Sequence, residues 1–175
     1  MKTVSRLLIL AAFFTFFNCE NAELKLAQQN KAIVTKAFEV VGNGDFDQMG
    51  NYIAENYVRH SQATPGLVVE SLDDFKAFIR QDRLAIPDQS LEIKNLVAEG
   101  NMVAFYAIYK GTQAGQMGPF PPSGKTTSLE FAGIHRMENG KIAETWITWD
   151  NITILSQLGH FAPAAPAIED GEISE

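Results

Sequence analysis

Two of the three histidines stand where proton chemistry can be arranged. His60 closes a short extended stretch, Tyr57-Val58-Arg59-His60, just before the Pro65-Gly66 turn. Imidazole titrates near neutral pH, so in a pocket it can take and return protons. In a solvated loop it has no such role, and both readings are open. His135 lies on the first arm of a hairpin whose turn is Asn139-Gly140, the strongest short hairpin signal. With a two-residue turn, Glu138 faces Lys141 and His135 faces Glu144. A carboxylate that orients an imidazole is the arrangement of a general acid–base pair. It is equally an ordinary cross-strand charge pair, worth roughly a few tenths of a kcal/mol.

The same register sets the faces, because alternate residues of a strand point the same way. Gly133 opposite Trp146 and Phe131 opposite Thr148 share the His135 face with Met137, Ile142 and Asp150. Gly133 there leaves room for a large ring over the backbone. The other face carries Glu130, Ala132, Ile134 and Arg136 against Trp149, Ile147, Thr145 and Ala143. Neither face is plainly wet, so one is expected to line a cavity and the other to pack on helices or a second subunit. His60, Glu130 and Asp150 are the candidate acid–base residues; Phe131, Trp146 and Trp149 are candidate ligand contacts. Asp150 ends the last strand and starts the last helix, where an aspartate also serves as a plain N-cap.

The elements that must hold these residues follow from apolar spacing. Leu26, Ile33, Val34, Ala37, Phe38 and Val41 recur at helical intervals within 23–41, and Gly42-Asn43-Gly44 stops that helix. Asp45 or Asp47 can cap a second short helix carrying Phe46, Met49, Tyr52 and Ile53. Ser71 opens a third through Leu72, Phe75, Phe78 and Ile79, with Asp74 near a capping-box position and Pro87 as its end. From Ser90 the period becomes two. Leu91, Ile93 and Val97 mark one strand, and 102–109 (MVAFYAIY) reads as a central strand covered on both sides. A Gly/Pro-rich loop over 111–125 leads to strands over 126–137 and 141–148. A last helical turn carries Ile154, Leu155 and Leu158 and stops at Gly159. Helices followed by an antiparallel sheet predict an α+β domain, and a curved sheet closed by helices encloses a cone-shaped cavity. Two apparent motifs are set aside. In GPFPPSGKT (118–126) five residues separate the glycines instead of four, and three prolines remove donors that a phosphate loop needs. Asn151-Ile152-Thr153 is a glycosylation acceptor only in a suitable compartment.

Composition bounds the rest. The chain has 175 residues, 46% of them apolar, 20% charged, with net charge −7. That suits one folded domain and argues against nucleic acid or an anionic membrane surface, which select basic patches. The single cysteine excludes an internal disulfide and a multi-thiolate metal site. It sits at the end of an export-like segment: Lys2 and Arg6, then an unbroken low-polarity run over 7–17, then Asn18-Cys19. Such a run is short for a transmembrane helix, which takes about 20 residues. The segment resembles a bacterial lipoprotein signal, which implies lipid on Cys19 and a tether to the cell envelope. Ordinary signal cleavage, giving a secreted or periplasmic protein, is the alternative. Removing residues 1–18 takes away two basic and no acidic side chains and leaves 157 residues at net charge −9. The expected organisation is a signal over 1–18, a tether over 19–27, a domain over 28–160 and an acidic, unstructured tail over 161–175.

Ordered along the domain stand Tyr57, Val58 and His60; Pro87 and Asp88; Gly111 and Thr112; Pro121 to Lys125; Asn139 to Ile142; Glu144, Trp146 and Asp150; and Gln157, Leu158 and Gly159. This series resembles the SnoaL-like polyketide cyclases, or ester cyclases, of the nuclear-transport-factor-2-like superfamily. The resemblance implies a cone-shaped α+β fold, a homo-oligomer such as a dimer, an apolar pocket for a small molecule, and neither metal nor cofactor. It also implies acid–base catalysis of an aldol ring closure without a covalent intermediate. The chain departs from it at two places. The cyclases' acid–base aspartate follows directly after the tryptophan of the Glu-x-Trp strand, where this chain has Ile147, and their Gly-Thr-His histidine is Gln113, kept as a candidate ligand contact. Two functions follow: proton-transfer chemistry on a small apolar molecule, with His60, Glu130 or Asp150 in the missing role, or ligand binding without chemistry at the envelope.

Overall fold

The computed structural model describes the backbone of residues 2–161 and the side chains of residues 22–161. The Cys19 side chain, the side chains of the export segment and the acidic tail from residue 162 lie outside the described residues. Helix α1 (Lys2–Asn43) presents Val34, Ala37 and Val41 to the core and ends where Gly44 adopts a φ of +75°. Arg83 closes that end: its Nη1 donates to the Gly42 carbonyl at 3.0 Å and its Nη2 to that of Asn43 at 3.3 Å. A cation there also opposes the negative pole of the helix. Where a second helix was expected, there is only a 3₁₀ turn at Met49–Asn51. Ile53 instead opens β1 (Ile53–His60), because it finds a strand partner in Ile142.

Helix α2 (Leu72–Ala85) starts as its sequence dictates. The Ser71 hydroxyl accepts from the Asp74 amide at 3.0 Å, and the Asp74 carboxylate accepts from the Glu70 amide at 3.2 Å. Strands β2 (Ser90–Glu99), β3 (Met102–Thr112), β4 (Thr126–Glu138) and β5 (Lys141–Trp149) complete one sheet in the order β1-β5-β4-β3-β2. The sheet is mixed, not purely antiparallel, because β1 runs parallel to β5. Parallel neighbours need a long crossover, and α2 with the β2–β4 meander supplies it. Helix α3 (Asn151–Leu158) is capped by Asp150, which accepts from the Ile152 amide at 2.8 Å and the Thr153 hydroxyl at 2.6 Å. Three helices on a five-stranded mixed sheet make an α+β fold.

Two bulges correct the faces expected from strict alternation. Ile93 pairs with Ala107 but Asn95 with Tyr106, so Leu96 and Ala98 turn inward and Val97 is left exposed. At the hairpin Met137 pairs with Ile142 but Arg136 pairs with Glu144, so Ala143 is the extra residue. One inserted residue sends every later side chain to the opposite face. His135 therefore faces Thr145, not Glu144, and Gly133 faces Ile147, not Trp146. The ring over Gly133 is Phe105 of β3; a Cβ at that position would lie 2.6 Å from it. Strand β3 is covered on one side only, by its buried Val103, Phe105 and Ala107.

Candidate functional site

The helices and the inner sheet face enclose a cavity of about 660 Å³. That is the size of a small-molecule site, roughly 300–1,000 Å³. Its walls are Phe38 from α1, Phe75, Phe78 and Ile79 from α2, Leu129 and Phe131 from β4, Ile147 and Trp149 from β5, and Leu155 from α3. Met117 and Phe120 of the loop between β3 and β4 close one side.

Few polar groups reach this space. Asp82 of α2 accepts a hydrogen bond from the Tyr109 hydroxyl at 3.2 Å. Burial pushes the Asp82 carboxyl up to about 6, although hydrogen bonds from Tyr109 and Gln89 and the charge of Arg83 oppose the rise. Burial and the Asp82 charge together drive the Tyr109 phenol upward, so Tyr109 remains a donor. His135 is 6% exposed, its Nδ1 lies 2.8 Å from the Thr145 hydroxyl, and its ring stacks on Phe105 at 4.7 Å. Its Nε2 is enclosed without a partner, and burial lowers the imidazole to about 3, so it stays neutral. Burial likewise pushes the Tyr57 phenol up to about 12. Arg59 is 7% exposed, with its guanidinium over the Phe78 ring at 4.8 Å and the Trp149 ring at 5.4 Å.

The residues proposed from sequence divide between the two sheet faces. Phe131 and Trp149 line the cavity. His60, Glu130 and Trp146 do not: alternation in β1 and β4 turns His60 and Glu130 outward, and the β5 bulge turns Trp146 outward. There His60 lies 2.8 Å from Glu144, stacks on Trp146 at 5.3 Å, and Glu144 also accepts from Arg136 at 2.8 Å. Glu130 sits beside the Tyr106 hydroxyl, whose ionisation it opposes. Asp150 is the cap of α3, and those hydrogen bonds hold its carboxyl below the usual range. Gln113 is fully buried behind the cavity wall. Its amide nitrogen donates to the Pro121 carbonyl at 3.0 Å, and its oxygen lies 2.6 Å from His160 Nε2, so it shapes the loop that carries Phe120.

The sequence model described as "SnoaL-like polyketide cyclase" matches residues 31–158. The chain belongs to the SnoaL-like polyketide cyclase family. Solved relatives share the fold: TsrD from Streptomyces laurentii is 22% identical with a TM-score of 0.68, over 77% of this chain and 97% of its own. A SnoaL-like polyketide cyclase from Agrobacterium tumefaciens is 21% identical at 0.62, over 74% and 98%. A candidate polyketide cyclase from Acidithiobacillus ferrooxidans is 26% identical at 0.68, over 77% and 96%. No curated relative matches the chain. Ile147, at the place assigned by resemblance to the cyclases' aspartate, lines the cavity and carries no proton.

Three cavity residues escaped the sequence reading, and two had a signal. Asp82 falls on the apolar stripe of α2 with Phe75, Phe78, Ile79 and Ile86, a carboxylate at helical spacing among core residues. Arg59 lies two residues from Tyr57 and so shares its inward face. Tyr109 had none, since it looks like any aromatic of a buried strand.

Proposed function

We propose that the cavity binds a small, largely apolar molecule and catalyses proton transfer at a carbon beside a carbonyl, with Asp82 as the base. The observation that carries this is a single enclosed carboxyl in an apolar cavity, hydrogen-bonded by Tyr109. A carboxyl near 6 is a stronger base than a solvated one yet remains ionised at neutral pH, the compromise general-base catalysis requires. Asp82 removes the proton, the C–H electron pair moves onto the carbonyl oxygen, and the proton returns at another carbon for an isomerisation. Attack of the same enolate carbon on a second carbonyl closes a ring, and the resulting alkoxide takes the proton back from Asp82. Tyr109 donates to the carboxylate and keeps its orientation.

The test uses 2-tetralone in D₂O, followed by NMR. The purified chain should speed deuterium uptake at C1 well above buffer, and Asp82→Asn should return it to the buffer rate with an unchanged circular dichroism spectrum. No acceleration by the wild type overturns the enzyme reading. Ile147 favours a second reading, in which the cavity holds its ligand without chemistry; binding without exchange is its signature. On either reading the chain is exported and carried at the envelope by lipid on Cys19, and it pairs with a second copy through the outer sheet face. The exposed Ile134 and Trp146 on that face support the pairing. Palmitate labelling of Cys19→Ser and sedimentation velocity of Trp146→Glu test these two points.

A further inference from the structure

Arg59 is the one lysine or arginine among the described residues that line the cavity, and no described carboxylate lies within ion-pair distance of it. Asp82, the cavity's acid, is not among Arg59's ion-pair partners. A buried cation without a counter-ion is expensive, and such charges are ordinarily paired. The rings of Phe78 and Trp149 offset part of that cost by cation–π attraction. They supply no acceptor for the guanidinium N–H groups. One acceptor is present: the Thr64 hydroxyl takes a hydrogen bond from Nη1 at 3.0 Å.

The remaining donors of Arg59 have no partner among the described residues, yet they are not sealed. Among the described residues the one fully enclosed side-chain polar atom without a partner is His135 Nε2. The free guanidinium edge therefore meets open space. As Arg59 is 7% exposed and lines the cavity, that space is the cavity. A planar fork of N–H donors held against the Phe78 and Trp149 rings is shaped for two coplanar oxygens.

We infer that Arg59 receives the carboxylate of the bound molecule, so that the ligand is an apolar, ring-containing acid anchored beside Phe78 and Trp149. This rests on the cavity being a ligand site and adds the class of molecule. The carboxylate supplies the missing counter-ion, and the rings of Phe78, Trp149 and Phe131 take the apolar body.

The experiment is calorimetric titration of the full chain with 2-naphthoate and with 2-naphthamide, which share shape and differ in charge. Wild type should bind the acid at least tenfold more tightly than the amide. Arg59→Met should bring the two affinities within twofold of each other, and Arg59→Lys should restore part of the preference. Amide binding without acid preference in the wild type overturns the inference and leaves the cavity reading standing; failure of both probes to bind overturns both. The acidic tail is another source of carboxylate, so Glu169→Gln, Asp170→Asn, Glu172→Gln and Glu175→Gln are combined in one chain. Unchanged naphthoate affinity there supports a free acid as the occupant, and a rise of tenfold or more assigns Arg59 to the tail and overturns it.

Discussion

The inner and outer faces of the sheet carry the same residue types in opposite physical states. His60 on the outer face touches water, Glu144 and Trp146, while His135 on the inner face has one hydrogen bond and an aromatic wall. Glu144 is doubly paired and Asp150 is fully capped, whereas Asp82 is enclosed with a phenol. Hydrogen bonds from Arg136 and His60 hold the Glu144 carboxyl below the usual range, and those from Thr153 and Ile152 do the same for Asp150. Burial pushes the inner ones the other way. The direction of these shifts thus follows from the face and not from the residue type.

The comparison can be broken by titrating stability, starting with the largest effect. The His135 imidazole stands at about 3 against an ordinary 6.5. Below pH 6.5 the unfolded chain binds a proton that the folded chain refuses, so stability falls as pH drops from 6.5 towards 3. The full window is worth about 5 kcal/mol at 1.36 kcal/mol for each pH unit. Urea unfolding at pH 7 and pH 4 should show this acid limb in wild type and lose it in His135→Phe, whereas His60→Phe should keep it. Asp82 has the opposite sign. Its carboxyl stands at about 6 against an ordinary 3.8, so the unfolded chain ionises first and stability is lost as pH rises through 4 to 6. Asp82→Asn should be more stable than wild type at pH 8 by up to about 3 kcal/mol and equal to it near pH 3.5. Glu130→Gln should change neither by more than about 0.5 kcal/mol.

Packing should separate the faces more mildly. Gly133→Ala drives a methyl into the Phe105 ring and the Trp146 carbonyl, and denaturation should show a loss of about 2 kcal/mol. The smallest effect belongs to the outer cluster. Removing the exposed His60–Glu144 contact with His60→Ala should cost less than about 1 kcal/mol.

What the sequence made legible is local and mostly scaffold. Ser71, Asp150, Gly159 and the Asn139-Gly140 turn each satisfy backbone groups within a few residues, so their roles follow from neighbours in the chain. The series behind the family resemblance is largely of this kind. Asp88 clamps the Thr112 amide and hydroxyl at 2.6 and 2.8 Å, and Gln157 pins α3 to β4 through the Ser128 amide at 2.8 Å. Those residues declare the fold and leave the chemistry open. The faces were not legible, because each bulge is one residue that alternation does not announce, and the one at Ala143 reversed the assignment of Glu144, Trp146, Trp149 and Ile147. Asp82 and Arg59 carried signals in their spacing, but their meaning depends on α2 and β1 facing one cavity, which only the assembled fold establishes.

On the proposed function the inner face, not the outer, takes the molecule. Calorimetric titration with 2-naphthamide tests it directly on two variants, Ile147→Trp, which fills the cavity, and Trp146→Ala, which strips the outer face. Ile147→Trp should abolish binding, while Trp146→Ala should bind within twofold of wild type. Binding that survives Ile147→Trp and disappears in Trp146→Ala would contradict it.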